Sequence, residues 1–187
     1  MDEFGEWQTL TKAQRLDRAS DLLASTGIIL DDGKYVYSVR KQGGGLANSA
    51  NSSDVFTGGA YISNPIQELG DDKNKTGVYT MNLELVNDGY ETVTYDQFNA
   101  YILHDQVAQA TETIYSNTLT SGHLYAGTEG NATVTYKVNG STVSSITLKP
   151  TETKTVTVTI TLDSAAKNFY DTYFPNGTYV EGYVSLG

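Results

Sequence analysis

The chain has 187 residues, no cysteine, twelve Lys plus Arg against twenty-two Asp plus Glu, and a formal net charge of -10. That balance lacks the clustered cations of a nucleic-acid surface, and the missing thiols remove disulfides, thiolate metal sites and cysteine nucleophiles. No run of about 18 apolar residues occurs, so no membrane insertion by a helix is expected.

The first predicted element is a helix. Thr11 followed three residues later by Gln14 has the form of a capping box, and Gly27 supplies a stop. Leu16, Ala19 and Leu23 recur at i, i+3 and i+7, a stripe that must bury against something. Ile28-Ile-Leu30, the turn Asp31-Asp-Gly33 and Tyr35 to Leu46 then read as a hairpin. From Ala47 to Ser53 the chain is small and polar, which places a boundary there, with 1–53 before it and 54–187 after it.

Strands are expected in series after the boundary. Val55 to Ser63 is one. Thr76 to Val86 is clearer, with Tyr79, Met81, Leu83 and Leu85 inward and Thr80, Asn82 and Glu84 outward. Asn87-Asp-Gly89 turns into Tyr90 to Tyr95, whereas Tyr101 to His104 fits no single period. Asp105 to Glu129 lacks periodicity and reads as an insertion or long connection. Ala132 to Val138 returns through the hairpin turn Asn139-Gly140 into Val143 to Leu148.

The last third carries the strongest pattern. In Thr155-Val-Thr-Val-Thr-Ile-Thr-Leu162, four threonines occupy one face and Val156, Val158, Ile160 and Leu162 the other, as in a half-buried antiparallel strand. One or two helical turns, the turn at Pro175-Asn-Gly177 and a strand from Thr178 complete it. Several short strands with frequent turns imply a mainly β, antiparallel sandwich.

Strand, short helix, turn and strand, closing on Tyr179-Val-Glu-Gly-Tyr-Val184, resemble the end of the fibronectin type III-like domain that follows the catalytic domain in lactocepin-type, cell-envelope subtilisin-like proteases. The front carries a second resemblance. Arg18-Ala-Ser-Asp-Leu-Leu-Ala-Ser-Thr-Gly27 and Tyr37-Ser-Val-Arg-Lys-Gln-Gly-Gly-Gly-Leu46 are similar to the end of a subtilase catalytic domain. Thr26-Gly27 replaces that family's Thr-Ala, and Val39 stands where it usually has Pro. Arg40, Gln42, Gly43 and Gly45 are the most specific matches.

The resemblance implies a remnant of an α/β subtilase domain over 1–53, a helix and hairpin, followed by a fibronectin type III-like sandwich over 54–187. Structural roles are expected for the glycines in close backbone approach, and for Arg40 in satisfying carbonyls or a carboxylate. It also implies a secreted, extracellular or cell-wall-associated setting, with the parent catalytic domain and protein substrates as partners. The family's His-Gly-Thr and Gly-Thr-Ser-Met-Ala motifs are absent from this chain. The chain is therefore expected to be a non-catalytic part of a serine endopeptidase, with no catalytic residue, metal or cofactor of its own, and with the Leu16–Ala19–Leu23 stripe under-covered for want of the parent core.

The other chemical readings are bland. His104 and His123 come without a nucleophile elbow. Gly43-Gly-Gly45 lacks the dinucleotide fingerprint, because Asn48 stands at the third glycine. Asp31-Asp32 and Asp71-Asp72-Lys-Asn74 match no twelve-residue calcium loop and read as solvated turns, the alternative being a calcium site assembled from loops. Glu181 and Glu91 would have to face one another across a cleft to hydrolyse a glycoside; Glu181, between Tyr179 and Tyr183, reads as a hydrogen-bonded structural acid. Tyr61, Tyr79, Tyr90, Tyr95, Tyr101, Tyr115 and Tyr125 read as sandwich core or edge. The alternative is a surface adhesin or carbohydrate-binding sandwich using them as a platform. Exposed strand edges offer a further route, peptide binding by strand addition.

Overall fold

The computed structural model describes residues 7–30, 39–55, 59–104, 107–109, 112–114 and 132–187. Helix α1 (Lys12–Ser25) starts at the predicted capping box. Thr11 Oγ1 accepts from the Gln14 amide, and the Gln14 side chain accepts from the Thr11 amide. The Leu16–Ala19–Leu23 stripe is under-covered, as the resemblance implies for a segment without its parent core: Leu16 is 61% and Leu23 44% exposed. The helix buries Leu22 instead, against Val55, Tyr61 and Val86.

The turn at Asp31-Asp-Gly33 lies outside the described residues. Ile28 and Leu46 pair across it as an isolated antiparallel bridge, but the described part of the second arm, 39–46, is not a strand. Val39–Gln42 forms a single helical turn, α2. The polar stretch at the expected boundary is also ordered. Asn48 Oδ1 accepts from the amides of Ala50 and Asn51 and caps α3 (Ser49–Asp54). Packing does not vanish there, since Ser52 and Val55 are buried.

The expected strand from Val55 to Ser63 shrinks to β1 (Tyr61–Ile62), since Val55 caps α3. Strands β2 (Val78–Val86), β3 (Val93–Tyr95) and β4 (Phe98–His104) follow, the last resolving the ambiguous 101–104 run as strand. Within the unperiodic stretch, β5 (Val107–Gln109) and β6 (Glu112–Ile114) pair as a small antiparallel ladder; 115–131 lies outside the described residues. Next come β7 (Ala132–Val138), β8 (Ser141–Thr142), β9 (Ile146–Leu148) and β10 (Thr153–Leu162). Helix α4 (Ser164–Tyr173) and β11 (Val180–Leu186) close the chain.

Strands β1-β2-β10-β7-β8 form one antiparallel sheet, while β3–β9 and β4–β11 pair separately. Inward residues from all three interleave. Leu83 and Leu85 of β2, Val156 and Val158 of β10, and Tyr136 of β7 pack with Val93, Ile146 and Leu148. Phe98, Val184 and Leu186 lie against the same cluster. The Asn139-Gly140 turn has φ of 51° and 80°, the left-handed geometry of a tight hairpin. The return strand is split, however. Only Ser141–Thr142 pairs with β7, and after a break Ile146–Leu148 crosses to pair with β3. Helix α4, capped by Asp163 accepting from the Ala166 amide, seals one end with Ala166 against Ile102, Ile160 and Leu162.

Candidate functional site

The arrangement with most chemistry is the seam where the leading segment meets the sandwich. Three contacts build it. On α1, Arg18 projects from the same face as Leu22, one turn earlier. Its Nε donates to the Tyr61 hydroxyl at 2.9 Å, and its guanidinium pairs with the Asp88 carboxylate in the β2–β3 turn. Burial raises the Tyr61 hydroxyl's pKa, with Arg18 offsetting part of the rise. Around this pair sits the Leu22–Val55–Tyr61 nest.

On α2, Arg40 donates to both oxygens of Glu181 in β11, at 3.2–3.3 Å, and its guanidinium lies 4.6 Å from the Tyr179 ring centroid. The expected carboxylate partner of Arg40 is therefore Glu181, and Glu181 is a structural acid. Gln42 completes the contact. Its carboxamide holds both the N–H and the C=O of Leu30 and hydrogen-bonds Tyr183, whose hydroxyl burial pushes up to about 12. The glycines behind α2 allow the required approach. A Cβ on Gly44 would stand 2.7 Å from the Ala24 carbonyl, and one on Gly45 2.4 Å from that of Ile28.

The other candidates do not converge. His104 sits in β4 opposite Val180; His123, Asp31, Asp32, Tyr115 and Tyr125 lie outside the described residues. Asp72 is used within its own loop, accepting from Gly77 N at 2.7 Å, Thr76 N at 2.9 Å and Thr76 Oγ1 at 3.1 Å. Those donors, Gly77 first, hold its carboxyl below the usual carboxylate range. Glu91 is exposed and engages through its backbone carbonyl, which accepts from Asn87 Nδ2. Among the described residues, no three His, Asp or Glu side chains gather as a metal site. Of the tyrosines, Tyr61 is buried, Tyr95 exchanges hydrogen bonds with the Ala60 backbone, and Tyr79 packs beneath β10.

A family model, the Fn3-like domain, matches residues 67–187. The chain belongs to the Fn3-like family. The match covers every element from β2 onward, and the antiparallel, mainly β architecture of this Fn3-like chain agrees with a fibronectin type III-like sandwich. No curated protein matches the chain. Sequence reasoning missed the Arg18–Asp88–Tyr61 contact. Its signal was the i, i+4 spacing of Arg18 and Leu22, hidden by the more apolar Leu16–Leu23 stripe.

Proposed function

We propose that this chain is a non-catalytic part of a secreted subtilisin-like serine endopeptidase, in which the Fn3-like sandwich braces the catalytic domain and helps position protein substrates. Fn3-like domains of this type are found in the C-terminal region of subtilases. The observation that carries the reading is the two-sided leading segment. One side is held to the sandwich through Arg18, Leu22, Arg40 and Gln42. The other shows solvent Leu16 and Leu23, with Ile28 at 44% and Leu46 at 57% exposure. An apolar surface of that kind on a small acidic protein calls for a covering partner. The catalytic domain upstream is that partner, and the arginine anchors transmit its position to the sandwich.

The test reads the DNA upstream of Met1 and assays the purified chain on casein. The expected result is an in-frame Gly-Thr-Ser-Met-Ala motif upstream, and no hydrolysis by the chain itself. An upstream frame without subtilase motifs overturns the parent assignment. Casein turnover abolished by serine-directed inhibitors overturns the non-catalytic one.

A further inference from the structure

The outer edge of β2 is only half covered. Glu84 N finds no strand carbonyl; it donates to Asn64 Oδ1 at 2.9 Å, while Glu84 O accepts from Ser63 N. Both groups point away from β10, so alternation directs the N–H and C=O of Asn82, Thr80 and Val78 the same way. Asn64 Nδ2 donates to the Asn82 carbonyl at 2.8 Å, so one side-chain amide stands in for a strand residue. Pro65 then ends the covering strand, having no N–H to offer. Below it, Val78 N is held by Thr76 Oγ1. Among the described residues, the Val78 carbonyl, both backbone groups of Thr80 and the Asn82 amide make no hydrogen bond.

The segment after Pro65 does not close over this edge. Leu69 to Asp72 stand off from Val78 to Thr80 across a groove of about 160 Å³. Ile66 is 78%, Leu69 43% and Val78 48% exposed beside it. The surroundings are acidic on balance: Glu68, Asp71 and Glu84 are exposed against one exposed lysine, Lys73, while Lys75 is paired with Asp171.

We propose that the open edge of β2 at Val78–Asn82 takes up an extended peptide by antiparallel strand addition, preferring segments that alternate basic and apolar residues. The peptide residue opposite Thr80 exchanges two hydrogen bonds with it. Residues two places to either side bond the Val78 carbonyl and the Asn82 amide. Alternation then sends one set of side chains to the outer face, where Val78, Thr80 and Glu84 are exposed, and the other to the inner face beside Tyr79 and Met81. The charge preference follows from the acidic surroundings and weakens with salt. This deepens the substrate-positioning part of the proposed function and rests on it for the natural peptide alone; the binding test does not depend on what lies upstream.

The experiment titrates the full ¹⁵N-labelled chain with acetylated, amidated Lys-Val-Lys-Val-Lys, following amide shifts and hydrogen exchange. Exchange at Thr80 and Asn82 is expected to slow, and Glu-Val-Glu-Val-Glu to bind several-fold more weakly. Thr80→Pro deletes the central donor and leaves the backbone ladder to β10 in place, losing only the Thr80–Thr159 hydroxyl contact, as Thr80→Val also does, and is expected to weaken binding about three- to tenfold. Thr80→Val keeps the donor and keeps the affinity. Protection confined to other amides, equal binding of the acidic peptide, or full affinity in a folded Thr80→Pro variant overturns the proposal. So does edge-to-edge dimerisation of the chain that excludes peptide, seen by sedimentation. Should Thr80→Pro not fold, the exchange pattern of the unmodified chain decides alone.

Discussion

Replacing Arg18 by Met removes the guanidinium and keeps most of the apolar stem. Arg18 and Asp88 side chains are 20% and 15% exposed, closer to a buried pair than to a surface one. Breaking a buried pair from one side costs about 3–5 kcal/mol, while exposed pairs contribute about 0–1 kcal/mol. Residual solvent access therefore brings the loss for Arg18→Met to about 2–3 kcal/mol, including the Tyr61 hydroxyl left without its donor. Asp88→Asn removes the charge but retains a polar group, and about 1–2 kcal/mol is expected. The double variant should lose no more than Arg18→Met alone, a coupling of about 1–2 kcal/mol. Urea unfolding at neutral pH measures the global effect. Since α1 can open without the sandwich unfolding, hydrogen exchange of α1 amides measures the local one. Arg18→Met within about 0.5 kcal/mol of the parent in both assays, or single effects that simply add, would refute the seam as drawn.

The other predictions concern the sandwich. Asn87 is fully buried, donates to the Glu91 and Leu148 carbonyls and accepts from Gly89 N; Asn87→Ala strands all three and should cost about 3 kcal/mol or more in urea unfolding. A Cβ on Gly182 would stand 1.9 Å from the Tyr101 carbonyl across the β4–β11 ladder. Gly182→Ala should therefore lower Tm by several degrees, and an unchanged Tm would show that the strands can part there at little cost. Burial pushes the Tyr136 hydroxyl up to about 12, above the unfolded value near 10. Its neutral form is favoured by folding, so this contribution is complete below about pH 10 and is lost between about pH 10 and 12, on the order of 2 kcal/mol. Urea midpoints that fall less across this window in Tyr136→Phe than in the parent would bear this out, half-buried Tyr183 accounting for part of the fall in both. A Tyr136 that ionises with the exposed tyrosines in a UV titration would sink it.

The long strands were legible because one face is buried and the other wet. Val78–Val86, Ala132–Val138 and Thr153–Leu162 lie within a few residues of their predicted spans. Sheet membership was not legible. Val143 to Leu148 looks like a plain hairpin return, yet Ile146–Leu148 leaves its sheet for β3, a choice made by partners distant in sequence. In the leading segment, periodicity identified the helix and its apolar stripe, which is left under-covered, but not the face that docks. That face pairs a single leucine, Leu22, with an arginine, Arg18. The helix Ser49–Asp54 is made of Ser, Ala, Asn and Asp, composition that reads as linker; its cap residue, Asn48, was the available clue. Arg40 and Glu181 were each singled out, but nothing in the sequence joins positions 141 residues apart.

The family match begins at residue 67, yet the first strand of the sheet and the Asn64 amide that shields β2 lie before it. A recombinant piece cut at that start would expose Glu84 and Val86 along with Thr80, turning a short opening into a full-length sticky border. Such a piece would tend to form fibres or swapped dimers. The practical unit for expression, and for any grafting of this module onto another protein, therefore begins no later than Ala60, whose backbone is already tied to Tyr95.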